Sequence, residues 1–232
     1  MRSFLFKSRS PVRETLGQIS VVISVFIAII YPFNIIPFNP VLVQGAAVGF
    51  LAIYALLRVS SFDHLLLFIA LLAGAAGKMQ LEFQIPDTII SGLKNFLIGH
   101  IFYIIIFWRN RLPAFDVSRS RMNGASLLWA AAAAATIWIW PTVMEGKLHL
   151  AAYTVGILGM ATAALISRYP LKLVGTGAVL FIASDAIIGA DLIFVIPKWI
   201  GYLVWPTYYM AQMFITAGIL LTPVKQHPRS LR

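Results

Sequence analysis

Eight apolar runs, each close to the length that crosses a bilayer, constrain this chain more than any other feature of it. They fall at about 16–36, 41–58, 64–81, 93–108, 124–141, 148–166, 171–193 and 199–222. A hydrocarbon core needs about 20 apolar helical residues, and no water is present inside it to satisfy an open backbone. Pro37, Pro40, Pro86, Pro113, Pro170, Pro197 and Pro223 punctuate the joints. Composition agrees: 60% of the 232 residues are hydrophobic and 11% charged, against about 25% charged in soluble domains. A soluble globule of this size cannot hide so much apolar surface. The expected fold class is therefore all-α, a polytopic membrane bundle of eight transmembrane helices.

The basic residues orient that bundle. With a cytoplasmic N-terminus, 14 of the 18 Lys and Arg residues fall on the inner side; Lys94, Lys147 and Lys198 lie outside, and Lys78 within the third run. This bias is the positive-inside pattern, and it predicts an N-in/C-in topology. An odd number of spans would put the basic tail on the wrong side. The expected organisation is a basic cytoplasmic segment at 1–15, the transmembrane domain at 16–222, and a basic tail at 223–232. The net charge of +10 then reports orientation and attraction to anionic lipid headgroups at the cytoplasmic face, with no nucleic-acid partner needed. The expected location is a multi-pass position in an inner or plasma membrane.

The first run follows Arg2, Lys7, Arg9 and Arg13 as a signal peptide would. It has no small-residue cleavage site and runs into Tyr31-Pro32, so it is expected to remain as the first span. Gly45 and Gly49 form a G-x-x-x-G pair, and Ala130 to Ala135 form a small-residue stretch. Both predict close backbone approach between helices.

Several chemistries are excluded at once. The absence of cysteine removes disulfides and thiolate catalysis. His64, His100, His149 and His227 are scattered without metal-ligand spacing, so no metal or other cofactor is expected. What remains is three ionisable residues inside spans: Lys78, His100 and Asp185. Such groups are costly in hydrocarbon and mark function or a specific partner. At 1.5 Å per residue, His100 and Asp185 lie roughly 10 and 12 Å below the outer ends of their helices, level with Tyr208 and Tyr209. Lys78 is shallower, at about 6 Å. One polar site in the outer half of the bundle is geometrically possible. Asp191, Glu82 and Asp87 fall at helix ends, where water is close.

Helical faces add detail. His100 and Tyr103 share a side with Phe96 and Phe107, and Ser184 stands beside Asp185. Trp205, Tyr208, Tyr209, Gln212 and Thr216 form a stripe down the last run, whose polar edge is expected to point inward. A Lys78–Asp185 ion pair that only fixes the fold is the competing reading of the buried charges.

The segments NFLIGHIFYIIIF (95–107), AAYTVGILGM (151–160), GTGAVLFIASDAIIGAD (175–191) and TYYMAQMFITAG (207–218) resemble the YhhN family of integral membrane proteins, which includes the lysoplasmalogenases. The resemblance implies an eight-helix fold and, for those members, hydrolysis of the vinyl ether bond of lysoplasmalogens to a fatty aldehyde and a glycerophospho-alcohol. A carboxylic acid would protonate the alkene carbon, and desolvation favours such an acid. The implied roles are Asp185 as acid/base with His100 as its helper, and Lys78, Tyr103, Ser184, Tyr208 and Gln212 at the substrate. Lys78 would bind the lipid phosphate or tune Asp185. One departure stands out: the family's usual Gly-Asp in the third span reads Gly77-Lys78 here, with Glu82 one turn away as a possible replacement carboxylate. The open alternatives are a non-catalytic relative that binds lipid or supports a membrane assembly, with Lys78 paired to Asp185, and a small transporter.

Overall fold

A computed structural model describes residues 10–33, 38–83, 86–143, 148–191 and 193–222, with the side chains of 86, 87, 138–143 and 148–150 left aside. Among them run eight long helices: α1 (Pro11–Ile30), α2 (Pro40–Leu57), α3 (Phe62–Glu82), α4 (Pro86–Arg109), α5 (Arg119–Val143), α6 (Leu148–Leu165), α7 (Leu171–Asp191) and α9 (Val204–Leu220); a single turn, α8 (Lys198–Gly201), precedes the last. Each of the eight apolar runs contains most of one long helix.

The helix starts are written locally. Ser10, Asn39 and Ser61 accept hydrogen bonds from the backbone N–H groups of Arg13, Val41 and His64, satisfying donors that a first turn leaves open. Proline opens α1, α2 and α4, where its missing N–H costs nothing. The run at 199–222 is divided, because the backbone turns between α8 and α9 at Tyr202 and Leu203. Pro206 sits in the first turn of α9, the one place where a helix tolerates it.

Five stretches, Pro11–Phe33, Pro40–Leu57, Phe62–Glu82, Thr88–Arg109 and Leu171–Asp191, are long and apolar enough to cross a membrane by length and composition. Helix α1 shows the consequence of such a composition. Val12, Leu16, Ile19, Val22, Phe26 and Ile29 all project outward and are at least half exposed or nearly so, an apolar stripe that a water-facing helix would not carry.

Helices α2, α3, α4, α6, α7 and α9 surround a common interior, in that order around the ring, with α9 returning to contact α2 and α3; α1 packs outside on α2, and α5 outside on α6. Glycine sets the close crossing of α3 and α4. A Cβ on Gly77 would lie 3.0 Å from the Gly92 carbonyl oxygen, and a Cβ on Gly92 would lie 3.0 Å from that of Gly77. Helices α3 and α4 therefore meet backbone to backbone. The predicted G-x-x-x-G pair is only half used: Gly45 lies against Met79 of α3, while Gly49 faces open space. The alanine stretch also departs from expectation. Residues 130–135 are exposed except for a half-buried Ala132, because α5 lies outside the ring with α6 as its main neighbour.

At one end of the bundle, the connectors after α4 and α6 are tied together. Leu112 N–H donates to Ile166 and Arg168 N–H to Asn110, each at 2.9 Å. Asp63, in the first turn of α3, receives Arg109 Nε at 3.0 Å and Asn110 Nδ2 at 2.7 Å. This latch fixes α3, α4 and α6 relative to one another, and these helices carry much of the interior site.

Candidate functional site

The buried carboxylate of α7 is held from two sides. Tyr153 of α6 donates its hydroxyl to Asp185 Oδ2 at 2.5 Å. His100 Nε2 of α4 lies 3.3 Å from the same hydroxyl and 3.6 Å from the same Oδ2. The His100 and Asp185 side chains are 1% and 6% exposed. The other carboxylate oxygen, Oδ1, and the other ring nitrogen, Nδ1, are buried with no hydrogen-bond partner among the described residues. Buried polar atoms are seldom left so. A carboxyl group fixed through one oxygen and open at the other has room on that oxygen for a further hydrogen-bond partner.

Aromatic rings pack against His100 and Tyr208 beside this group. The Phe181 ring meets the His100 ring edge-on at 4.8 Å and that of Tyr208 at 5.5 Å, while Phe96 meets Tyr208 at 5.6 Å. Their surroundings are apolar, so any charge formed on Asp185 or His100 is felt strongly.

A second polar chain crosses from α4 to α9. Tyr103 donates to Gln212 Oε1 at 2.6 Å, and Gln212 Nε2 donates to the Tyr208 hydroxyl at 3.3 Å. All three residues are buried. The directions matter: the Tyr208 oxygen is already an acceptor, so its own proton is available to another group. Gly74 of α3 makes room for this chain. A Cβ there would lie 2.6 Å from Gln212 Nε2 and 3.0 Å from the Tyr208 hydroxyl.

The remaining candidates differ in kind. Ser184 donates to the Val204 carbonyl oxygen at 3.2 Å, which ties α7 to the start of α9. Lys78 is 7% exposed and pairs with Glu82 one turn along α3, Nζ to Oε2 at 3.4 Å. Asp185 lies within electrostatic range, but the side chain closest to Lys78 is Glu82, and those that close on Asp185 are Tyr153 and His100. The Lys78–Asp185 bridge is thus not the arrangement adopted. Asp191 is exposed at the end of α7. The expected stripe of α9 is buried throughout: Trp205, Tyr208, Tyr209, Gln212 and Thr216 all face inward.

Sequence reasoning missed Tyr153. It lies within one of the quoted motifs, but tyrosines near span ends are common and nothing in spacing ties α6 to α7. The same holds for Ser24 of α1, which donates to the Ala47 carbonyl at 2.6 Å and accepts from the Tyr209 hydroxyl at 2.7 Å.

The model of the YhhN family matches residues 40–219, a stretch that contains every residue of both polar clusters. The chain belongs to the YhhN family. With several helices long and apolar enough to cross a bilayer, this YhhN protein is an integral membrane protein. Lysoplasmalogenases of Mycobacterium bovis and Mycobacterium tuberculosis are each 30% identical to it over 134 residues, which cover 56% of this chain and 50% of theirs. The match thus spans about half the length of those curated relatives. No solved structure matches this YhhN protein. Helix α1 precedes the family match, yet it is joined to the matched region through Ser24 and Tyr209, and through Trp205 Nε1, which donates to the Ala28 carbonyl at 3.0 Å.

Proposed function

We propose that this YhhN-family protein is a lysoplasmalogenase-like hydrolase, which cleaves the vinyl ether bond of a lysophospholipid-type substrate by carboxyl acid/base chemistry. It works within eight membrane-spanning helices, N-in and C-in, with its basic cytoplasmic residues against anionic headgroups. The observation that carries the reading is the divided environment of Asp185: one oxygen is held by Tyr153 and His100, and the other is buried without a partner among the described residues.

The chemistry follows from that division. A vinyl ether is a carbon base, so the first step is transfer of a proton from the neutral Asp185 carboxyl to the alkene carbon distant from oxygen. This leaves an oxocarbenium ion beside a new carboxylate. Tyr153 donates to Oδ2 as charge develops there, the kind of preorganised stabilisation that lowers such a barrier. Water then adds to the cationic carbon, and its proton returns to Asp185, directly or by way of His100. The hemiacetal collapses to an aldehyde and an alcohol: Tyr208 donates to the departing oxygen, and the proton of the hemiacetal hydroxyl replaces the one it gave. The sum is vinyl ether plus water giving aldehyde plus alcohol, and Asp185 ends as it began. Lys78, occupied by Glu82, sets the electrostatic field near Asp185 without touching it.

The non-catalytic alternative rested on a Lys78–Asp185 bridge, and the pairing of Asp185 with His100 and Tyr153 favours the catalytic reading instead. The test is mass spectrometry of products from purified protein supplied with a lysoplasmalogen or, separately, its ester analogue. Fatty aldehyde is expected from the vinyl ether alone, and its release should vanish in Asp185→Asn. Wild-type protein that releases no aldehyde from the vinyl ether would overturn the proposal.

A further inference from the structure

Lys78 is a buried amine to which this chemistry gives no bond-making step. It lies on the same face of α3 as Gly74, one turn away, and Gly74 is the point where Tyr208 and Gln212 press against that helix. Its side chain is 9% exposed, and that of Glu82, its partner at 3.4 Å, is 29% exposed. An amine screened from water and set beside a carboxyl can do what a hydrated surface lysine does poorly: the carboxyl takes a proton from the ammonium, and the freed amine becomes a nucleophile.

We propose that Lys78 captures a long-chain aliphatic aldehyde as a reversible imine, with Glu82 as the proton carrier. The inference rests on the vinyl ether reading only for the source of the aldehyde. The lysine nitrogen adds to the carbonyl carbon, forming a C–N bond as the carbonyl π bond becomes a hydroxyl. Glu82 returns its proton to that hydroxyl, the C–O bond breaks, and water leaves. The sum is aldehyde plus lysine giving imine plus water. No oxidant or reductant takes part, and hydrolysis reverses the step. A hydrophobic aldehyde formed at Asp185 would thereby be retained until water releases it.

The experiment supplies the aldehyde directly. Full-length protein in detergent micelles is incubated with hexadecanal and sodium cyanoborohydride, which reduces an imine to a stable amine, and is then mapped by peptide mass spectrometry. The chain has seven lysines, so the wild type contains its own controls. Alkylation is expected at Lys78, ahead of the other six. Lys78→Arg, which keeps the positive charge but has no condensing amine, should remove that label. Glu82→Gln should slow it about a hundredfold, the scale of a lost proton carrier. Alkyl groups spread over the other lysines with Lys78 unmodified would overturn the proposal, and that comparison needs no variant to fold. Capture of hexadecanal by protein that does not cleave a lysoplasmalogen would sink the hydrolase reading and leave the imine standing. Cleavage without capture would do the reverse.

Discussion

Asp185 Oδ2 is shared by two groups, and the loss of either should be visible in rate more than in stability. Tyr153→Phe keeps the ring and removes the O–H that meets the developing carboxylate. Turnover of the vinyl ether is expected to fall about a hundredfold, as when one preorganised donor is removed elsewhere, with little change in KM. Steady-state kinetics on the purified variant would show it. An equal rise in KM with kcat intact would assign Tyr153 to substrate binding instead. Gln212 is different in character, because it satisfies two buried tyrosines at once. Gln212→Leu leaves the Tyr103 hydroxyl buried without its acceptor, a loss of about 1–3 kcal/mol. A lowered thermal midpoint in detergent is the expected result, together with reduced activity.

Glycines make their contribution at the scale of the helix. Gly77 and Gly92 let α3 and α4 approach backbone to backbone, whereas Gly49 of α2 has nothing within 4 Å of where a Cβ would stand. Alanine should therefore have opposite effects at the two places. Gly49→Ala is expected to leave stability unchanged or raise it by up to about 1 kcal/mol, the difference in helix propensity. Gly77→Ala must push α3 from α4, and should lower the thermal midpoint while disturbing the nearby site. Parallel melts of the two variants, with the wild type, check both. The element starts needed no such tertiary knowledge, since Ser10, Asn39, Ser61 and the helix-opening prolines are local signals. The break between α8 and α9 was invisible by comparison: residues 199–222 form one run of high hydropathy, and hydropathy does not report a backbone turn.

The topology of the whole molecule rests on the distribution of charge, and it can be measured directly. Because the chain contains no cysteine, single cysteines report position without interference. Ser118→Cys, between α4 and α5, is expected to react with an impermeant maleimide only when the cytoplasmic side is opened. Lys198→Cys, between α7 and α9, should react from the outside of intact cells or right-side-out vesicles. The reverse pattern would invert the orientation, and labelling of both from one side would change the number of spans between them.

Sequence alone determined the class of the molecule, because apolar runs of bilayer length have few other solutions, and helix caps and prolines act over a few residues. It also picked out Lys78, His100 and Asp185, since ionisable groups are conspicuous against hydrocarbon-like surroundings. Depth along each helix put His100, Asp185 and Tyr208 at one level. What sequence could not decide was which helices are neighbours, and so which groups meet at that level. Pairing depends on how six helices close into a ring through contacts distant in the chain, such as Gly77 on Gly92. Only the tertiary structure gave Asp185 to His100 and Tyr153, and left one carboxylate oxygen without a partner among the described residues. The physical reason is that burial is legible in a residue's own neighbourhood, while a partner is supplied by another helix.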